Sequence, residues 1–402
     1  MKRILFYSEN FCGENTKGGL EVATCRIARA LRDKGGAEVF NAFRSKWDGQ
    51  DKSVYSDVIK LGKSNASFVR SLSDFIDDNK IDIVVNMSRF FRHKHIVRGA
   101  HKSHRNPKVI FMQHFAPGSE MKKPRFSSGF HLLKLNPFNP LYWLRATVYP
   151  LLKLHRNLRY GKVYRSTYEN SEKVVLLSKG YIKDYAGIAG LSENSKFVSI
   201  PNIFDDCVSE KGTENKETIP QKFSQKRVLI LSRMDEIQKR MSLALEIWKK
   251  IEEDLDLSAW HLDIVGSGHN VDIVKRLIKK LGLKRATYHG WKPREPYLEK
   301  SAIMISTSAY EGLPLALLEA QAYGVVPIAF NSYASLEDVV ENFYNGVVVD
   351  NFGDVSDFAE KLKDLMNDEA YRNELSLNAV KSSNRFSSEK IVEKWIKLLS
   401  EL

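Results

Sequence analysis

Short apolar runs alternate along the chain with longer amphipathic stretches. Arg3–Tyr7, Ala37–Phe40, Ile81–Val85, Lys108–Met112 and Lys173–Leu177 have the length and near-continuous apolar character of strands. Between the first of these, Gly19–Lys34 and Ala66–Asp78 space their apolar residues as helices do. Strands apolar on both faces belong to parallel sheets covered by helices. After a polar stretch, Ser209–Gln225, the rhythm restarts. Strands are predicted at Arg227–Leu231, His261–Val265, Thr287–His289, Ala302–Ser306, Val325–Phe330 and Gly346–Val349, with helices at Met241–Ile251, Val271–Leu281 and Pro314–Tyr323. The expected architecture is α/β, with two doubly wound domains in tandem at 1–201 and 202–386. The closing segment, 387–402, sets Ile391, Trp395, Leu398, Leu399 and Leu402 on one helical face and reads as a packing helix. Ligands of open parallel sheets lie beyond the carboxyl ends of the strands, so the loops there are where chemistry is sought.

Composition narrows the class. The 402 residues and 43% hydrophobic content suit two packed domains. Cys12, Cys25 and Cys207 are far apart and form no Cys-x-x-Cys pair, so neither a zinc site nor a disulfide framework is expected. No signal-peptide pattern and no apolar stretch near the roughly 20 residues of a membrane span is visible, so the expectation is a cytoplasmic protein. The net charge of +13 is concentrated: 89–165 holds 17 Lys/Arg and a single acid, Glu120. Such a field favours an anionic partner. Within 118–167, cations interleave with Phe, Leu, Trp and Tyr. That suits an interfacial segment on the anionic inner face of a membrane, and equally a groove for polysaccharide or phosphate. Charge alone suggests nucleic acid; no recognised module accompanies it, and none is expected to bind.

The segment Ser301–Gly324 carries the strongest chemical signal. A buried strand ends in a polar loop, Pro314 is predicted at the first helical position, and Gly324 marks the helix end. The helix N-terminus, with Gly312, Leu313, Pro314 and Leu315, would offer backbone N–H groups to an anion or to sugar hydroxyls. Glu311 stands in the loop. Glu319 stands among alanines and leucines, where a carboxylate is unusual unless paired. A second signal follows the strand Val228–Leu231: Arg233, then Gln238-Lys239-Arg240. Two cations at a strand's carboxyl end suit a diphosphate, and otherwise read as a solvated basic loop. Lys17-Gly18-Gly19 after the first strand reads as a phosphate-approaching loop or as a plain turn, and does not form G-x-G-x-x-G. His114 ends an apolar strand at its carboxyl edge. Gly266 lies in a glycine-rich turn after His261–Val265, Asn202 lies in Ile200-Pro201-Asn202, and Trp291 follows the short strand Thr287–His289.

Tyr310-Glu311-Gly312-Leu313-Pro314, with a second Glu at 319, resembles the signature of family 4 retaining glycosyltransferases. The resemblance implies the GT-B fold: two Rossmann-like domains facing across a cleft, with the C-terminal helix packed back on the N-terminal domain. It implies that Glu311 holds the donor sugar and Glu319 the ribose, while Arg233 and Lys239 neutralise the leaving diphosphate and Arg240 stands behind them. Gly18 and Gly19 would meet donor phosphate or acceptor, and His114 the donor sugar. Asn202 is assigned to the crossing between domains and Gly266 to the neighbourhood of the nucleotide. Catalytic roles thus fall to Glu311, His114, Arg233 and Lys239. The implied reaction is retaining transfer from a UDP- or GDP-sugar to a glycan or polyprenyl-linked acceptor in cell-surface polysaccharide assembly (capsule, O-antigen, lipopolysaccharide or exopolysaccharide). No cofactor is expected, and no metal, since no Asp-x-Asp motif is present. A GT-B-fold nucleotide-sugar epimerase is the alternative. The stretch Gly118–Thr167 carries no family motif.

Overall fold

The computed structural model describes residues 1–13, 19–45, 52–121, 140–192, 194–204 and 225–402, without the side chains at 141, 142 and 144–153. Gly18, Cys207, most of Ser209–Gln225 and much of the 118–167 insertion lie outside the described residues. The chain divides into two compact units, Met1–Ile203 with Ser388–Leu402, and Phe204–Ser387.

The first unit is built on β1 (Arg3–Tyr7), α1 (Gly19–Asp33), β2 (Glu38–Phe43), β3 (Asp57–Lys60), α2 (Asn65–Asp78), β4 (Ile83–Asn86), α3 (Phe90–Lys102), β5 (Lys108–Gln113), α4 (Pro140–Glu169), β6 (Lys173–Leu176), α5 (Gly180–Ala189) and β7 (Phe197–Ser199). The strands form one sheet in the order β3-β2-β1-β4-β5-β6-β7. Pairing is parallel, with Leu5 opposite Phe40 on one side and Val84 on the other. Ile4, Leu5, Phe6 and Tyr7 are all buried because helices cover both faces, which is why β1 reads as an unbroken apolar run. One core gathers Leu5, Tyr7, Phe40, Phe68, Leu72, Val84 and Ile96. The order reverses between β1 and β4, which opens a crevice at their carboxyl ends.

The second unit contains β8 (Arg227–Leu231), α6 (Met241–Glu252), β9 (His261–Val265), α7 (Val271–Lys280), β10 (Ala286–Gly290), α8 (Glu295–Leu298), β11 (Ile303–Ser306), α9 (Leu315–Ala322), β12 (Val326–Phe330), α10 (Leu336–Val339), β13 (Val347–Val349), α11 (Val355–Asn367) and α12 (Glu369–Ser383). Its parallel sheet runs β10-β9-β8-β11-β12-β13, reversing between β8 and β11. Val228, Ile230, Leu262, Ile264, Ile303, Ile305 and Ile328 meet Trp248 and Leu362 in its core.

The last helix, α13 (Ser388–Ser400), belongs to the first unit and packs on α1. Ile391, Trp395, Leu398 and Leu399 are buried, and Lys34 Nζ donates to Ser388 Oγ at 3.0 Å. Each such side chain is worth roughly 1.5–3 kcal/mol of burial, enough to hold a short helix in place.

Elements the apolar pattern does not announce have a common cause. In α3 the buried face includes His93, bonded to Asn86 Nδ2 at 3.2 Å and Ser171 Oγ at 2.9 Å. A histidine satisfied by partners distant in sequence passes for a polar position when read locally. The strands β3 and β7 are short and not fully buried, so neither shows a long apolar run.

Candidate functional site

In the second unit the strand reversal places the loop after β8 beside the loop after β11. The two loops are tied together. Thr307 Oγ1 donates to the carbonyls of Lys239 at 2.8 Å and Arg240 at 3.1 Å, and the Ala309 N–H donates to Gln238 O at 2.7 Å. Asp235 Oδ1 accepts from the Ile237 and Gln238 amides at 3.0 and 3.1 Å and rounds the first loop. Arg240, at φ 51°, turns the chain into α6 through a left-handed conformation uncommon for a non-glycine residue.

These ties assemble a polar chain. Lys239 Nζ is ion-paired to Glu311 Oε1. Gln238 Nε2 donates to Glu311 Oε2 at 3.0 Å and to Tyr310 O at 3.2 Å, while its Oε1 accepts from Arg233 Nη2 at 2.8 Å. The Lys239 and Glu311 side chains are only 17% and 11% exposed. A carboxylate this shielded from water is costly without partners, and here a cation and an amide face it. Arg233 is exposed, so its remaining donors reach solvent.

Glu319 sits on α9, nearly buried, and Arg294 Nη1 donates to its Oε1 at 2.6 Å. A pocket of about 400 Å³ opens beside this pair, lined by Ser232, Arg233, Gly266, Trp291, Arg294 and Glu319 among others. That size falls within the usual range for small-molecule sites. The pocket therefore joins Arg233, Gly266, Trp291 and Glu319, which the sequence analysis singled out separately. Glu311 and Lys239 are not in its lining and connect to it through Gln238 and Arg233. Gly266 is required sterically: at φ 140°, an added Cβ would lie 1.8 Å from Ser232 O. Tyr288 Oη also donates to Gly266 O at 3.0 Å, so the turn is held from two sides.

Pro314 corrects one expectation. It is not the first helical residue but the N-cap of α9, with ψ 74°, and the helix begins at Leu315. Its carbonyl accepts from the Leu317 N–H at 3.0 Å while its own backbone stays non-helical, which is what defines a cap. Leu313 is buried beneath the loop.

His114 and Asn202 belong to the first unit. The His114 ring is buried, and neither ring nitrogen has a hydrogen-bonded partner among the described residues; Asn202 Oδ1 is likewise unsatisfied. Burial pushes the imidazole down to about 4, with the Asn202 side chain acting in the opposite direction. Gly19 opens α1 with empty space beside it, so packing among the described residues does not demand glycine there. No cluster of three or more His, Cys, Asp or Glu stands ready for a metal among the described residues.

Residues 213–382 match the model for glycosyl transferases group 1. This segment belongs to that family. The group 1 segment spans most of the second unit and contains Arg233, Gln238, Lys239, Arg294, Glu311 and Glu319. Over 244 residues the chain is 29% identical to the amylovoran biosynthesis glycosyltransferase AmsD of Erwinia amylovora, covering 58% of this chain and 63% of that protein. It is 26% identical to the Campylobacter jejuni GalNAc-alpha-(1->4)-GalNAc-alpha-(1->3)-diNAcBac-PP-undecaprenol alpha-1,4-N-acetyl-D-galactosaminyltransferase, over 52% of this chain and 55% of that one. The chain thus covers less than two thirds of either relative's length. Among solved structures, Anabaena Alr3699/HepE in complex with UDP and glucose superposes with a TM-score of 0.70 at 17% identity, covering 100% of both chains. TarM gives 0.71 at 14% identity, over 99% of this chain and 98% of that one. These likenesses establish the fold as GT-B, two Rossmann-like units in one chain.

Two residues of the group 1 segment escaped the sequence reading. Gln238 stands next to Lys239, and its amide carries no charge to mark it. Arg294 was hidden in Lys292-Pro293-Arg294-Glu295, a run that looks like a solvated turn. Only the fold reveals that each faces one of the two glutamates.

Proposed function

We propose that the chain is a retaining glycosyltransferase that moves a sugar from a UDP- or GDP-sugar to a glycan or polyprenyl-linked acceptor in cell-surface polysaccharide assembly. The observation that carries this reading is the linked set Lys239–Glu311–Gln238–Arg233, whose Arg233 lines the same pocket as Glu319 and Arg294. Glu319, held by Arg294, takes the ribose diol, and Trp291 borders the base. Arg233 and Lys239 face the diphosphate and stabilise the charge that develops as it leaves. Glu311 orients the sugar, and His114 with Asn202 supports the sugar and acceptor side. Attack comes from the face the leaving group departs from, and a donor phosphate oxygen takes the acceptor's proton; the protein contributes position and field. No divalent cation is needed in this scheme. Named relatives support the substrate class: one is a biosynthetic glycosyltransferase for amylovoran, another acts on a PP-undecaprenol-linked glycan.

The same reading places the protein at the cytoplasmic face of the membrane. Trp143, Leu154 and Leu158 are exposed along α4, and Phe91 is exposed with the Arg159 guanidinium 5.9 Å from its ring centroid. No described helix is long and apolar enough to cross a bilayer. Flotation with phosphatidylglycerol vesicles checks this: salt-sensitive binding is expected, and its absence removes the membrane from the proposal.

The central test is a thermal-shift series with the whole chain against UDP, GDP, ADP and their sugars. One of UDP or GDP, and its sugar, should raise the midpoint by several degrees. No response to any of them overturns the reading. Product NMR then reports the anomeric configuration, and sugar epimerised without an acceptor would replace the transferase with an epimerase.

A further inference from the structure

The carboxyl edge of the first unit's sheet carries a concentration of cations that the proposed donor site does not use. Four loops meet there in the spatial order β3, β2, β1, β4. They contribute Lys63, Arg44, Glu9 and the pair Arg89 and Arg92 respectively. This is also where the strand order reverses, the place an open sheet of this kind offers to a ligand. Glu9, the acid in this group, faces both guanidiniums: Arg92 Nε is 3.6 Å and Arg44 Nη1 3.9 Å from its carboxylate. Both separations are too long for hydrogen bonds. The Glu9 carboxylate instead accepts from Tyr7 Oη at 3.2 Å.

The guanidiniums are positioned but not saturated. Arg44 Nη2 donates to Lys63 O at 3.1 Å, and Arg92 Nη1 donates to Asn65 Oδ1 at 3.0 Å while the group lies over the Phe68 ring. Each guanidinium has five N–H donors, so most remain open among the described residues. Both side chains are only partly exposed, at 26% and 21%, which holds them in place and weakens solvent screening. The start of α3 is equally telling. Arg89 is its N-cap without a side-chain cap bond, Arg92 lies in its first turn, and that turn carries no acid. Cations at the positive end of a helix are unfavourable by a few tenths of a kcal/mol or more each. A bound anion reverses that penalty.

We propose that Arg44, Arg89 and Arg92, with Lys63 at the rim, form a phosphate-binding subsite that holds a phosphate group of the acceptor. The proposal rests on the transferase reading, in which the first unit receives the acceptor. It narrows the acceptor to one carrying phosphate, either as a phosphodiester within a polymer or as the diphosphate of a lipid carrier. Planar guanidinium forks suit a tetrahedral oxyanion better than a neutral sugar, and three of them offset Glu9 with charge to spare.

The test is direct binding to the whole chain by titration calorimetry. The probes are a short poly(glycerol phosphate) oligomer, farnesyl diphosphate and a neutral dextran oligomer, each in the presence of whichever of UDP and GDP binds. The expected result is binding of at least one phosphate probe, weakened tenfold or more in the Arg44→Gln/Arg92→Gln variant and retained in Lys239→Ala, with no binding of dextran. The probe that responds identifies the source. Since Arg92 packs on Phe68, Arg89→Gln serves as the milder variant: its side chain is exposed, its melting midpoint should be unchanged, and a loss of about threefold with a shallower salt dependence is expected. Phosphate binding that is unaffected in both variants overturns the subsite. So does a loss that flotation of the same variants confines to phosphatidylglycerol vesicles, which would make this edge a lipid surface. Failure of wild-type protein to bind either UDP or GDP sinks the transferase reading instead, and leaves the phosphate titrations interpretable.

Discussion

Arg294 Nη1 lies 2.6 Å from Glu319 Oε1, so the carboxylate assigned to the ribose is held by a cation from another loop of the same unit. Arg294 fixes the direction of that carboxylate. Replacing Glu319 by Gln keeps the shape and removes the charge. A hydrogen bond to a charged group is worth roughly 1.5–3 kcal/mol, so nucleotide affinity should fall about tenfold or more. Calorimetry with UDP or GDP measures this, and unchanged affinity would remove Glu319 from the site.

Lys239 answers to Glu311 in the same way, but on the diphosphate and sugar side. Lys239→Ala should lower kcat by roughly 10²–10³, the scale seen when a preorganised charge-stabilising donor is lost. KM should move less than kcat. Near-normal turnover would contradict the assignment.

Gln238 touches Arg233, Glu311 and the Tyr310 carbonyl at once. In the proposed mechanism it is a positioning residue, acting through its neighbours. Gln238→Ala should reduce kcat by about tenfold, and Gln238→Glu should do worse by setting a second carboxylate against Glu311. A pH–rate profile separates the two: the Glu variant should recover activity on the acid side as the added carboxyl takes a proton.

Gly266→Ala introduces a Cβ only 1.8 Å from Ser232 O and forces a side chain into a φ of 140°. The loss should exceed about 1 kcal/mol. Because the turn also lines the pocket, nucleotide affinity and the melting midpoint should fall together.

Two histidines set an acid limit on the first unit. Burial holds His93 and His114 near 4, below the ordinary value of 6.5. Between those values the unfolded chain binds protons that the folded chain refuses, so stability is present above 6.5 and is lost as pH falls towards 4. Melting curves from pH 7 to 4 should show a midpoint that falls below pH 6.5. The fall should be shallower in His114→Gln. A midpoint independent of pH across that window would show that neither ring stays neutral in the fold.

Much of this was legible along the chain because it depends on local pattern. The central strands of both sheets are largely buried on both faces, so Arg3–Tyr7 and Arg227–Leu231 announce themselves as apolar runs. Glu319 stood out as a carboxylate in an apolar helix, and Arg233 and Lys239 as cations at the end of a strand. The face of α13 was equally plain, with Trp395 and Leu398 at helical spacing. What only the tertiary structure decided are the partnerships between distant segments. Arg294 reaches Glu319 across 25 residues and Gln238 reaches Glu311 across 73, each brought together by parallel strands whose order reverses at β8 and β11. Arg44, Arg89 and Arg92 likewise converge only because β2 and β4 flank β1. Periodicity records which face of an element is buried; it holds no record of which loop lies opposite, because strand order is set by crossovers and packing and not by neighbouring residues.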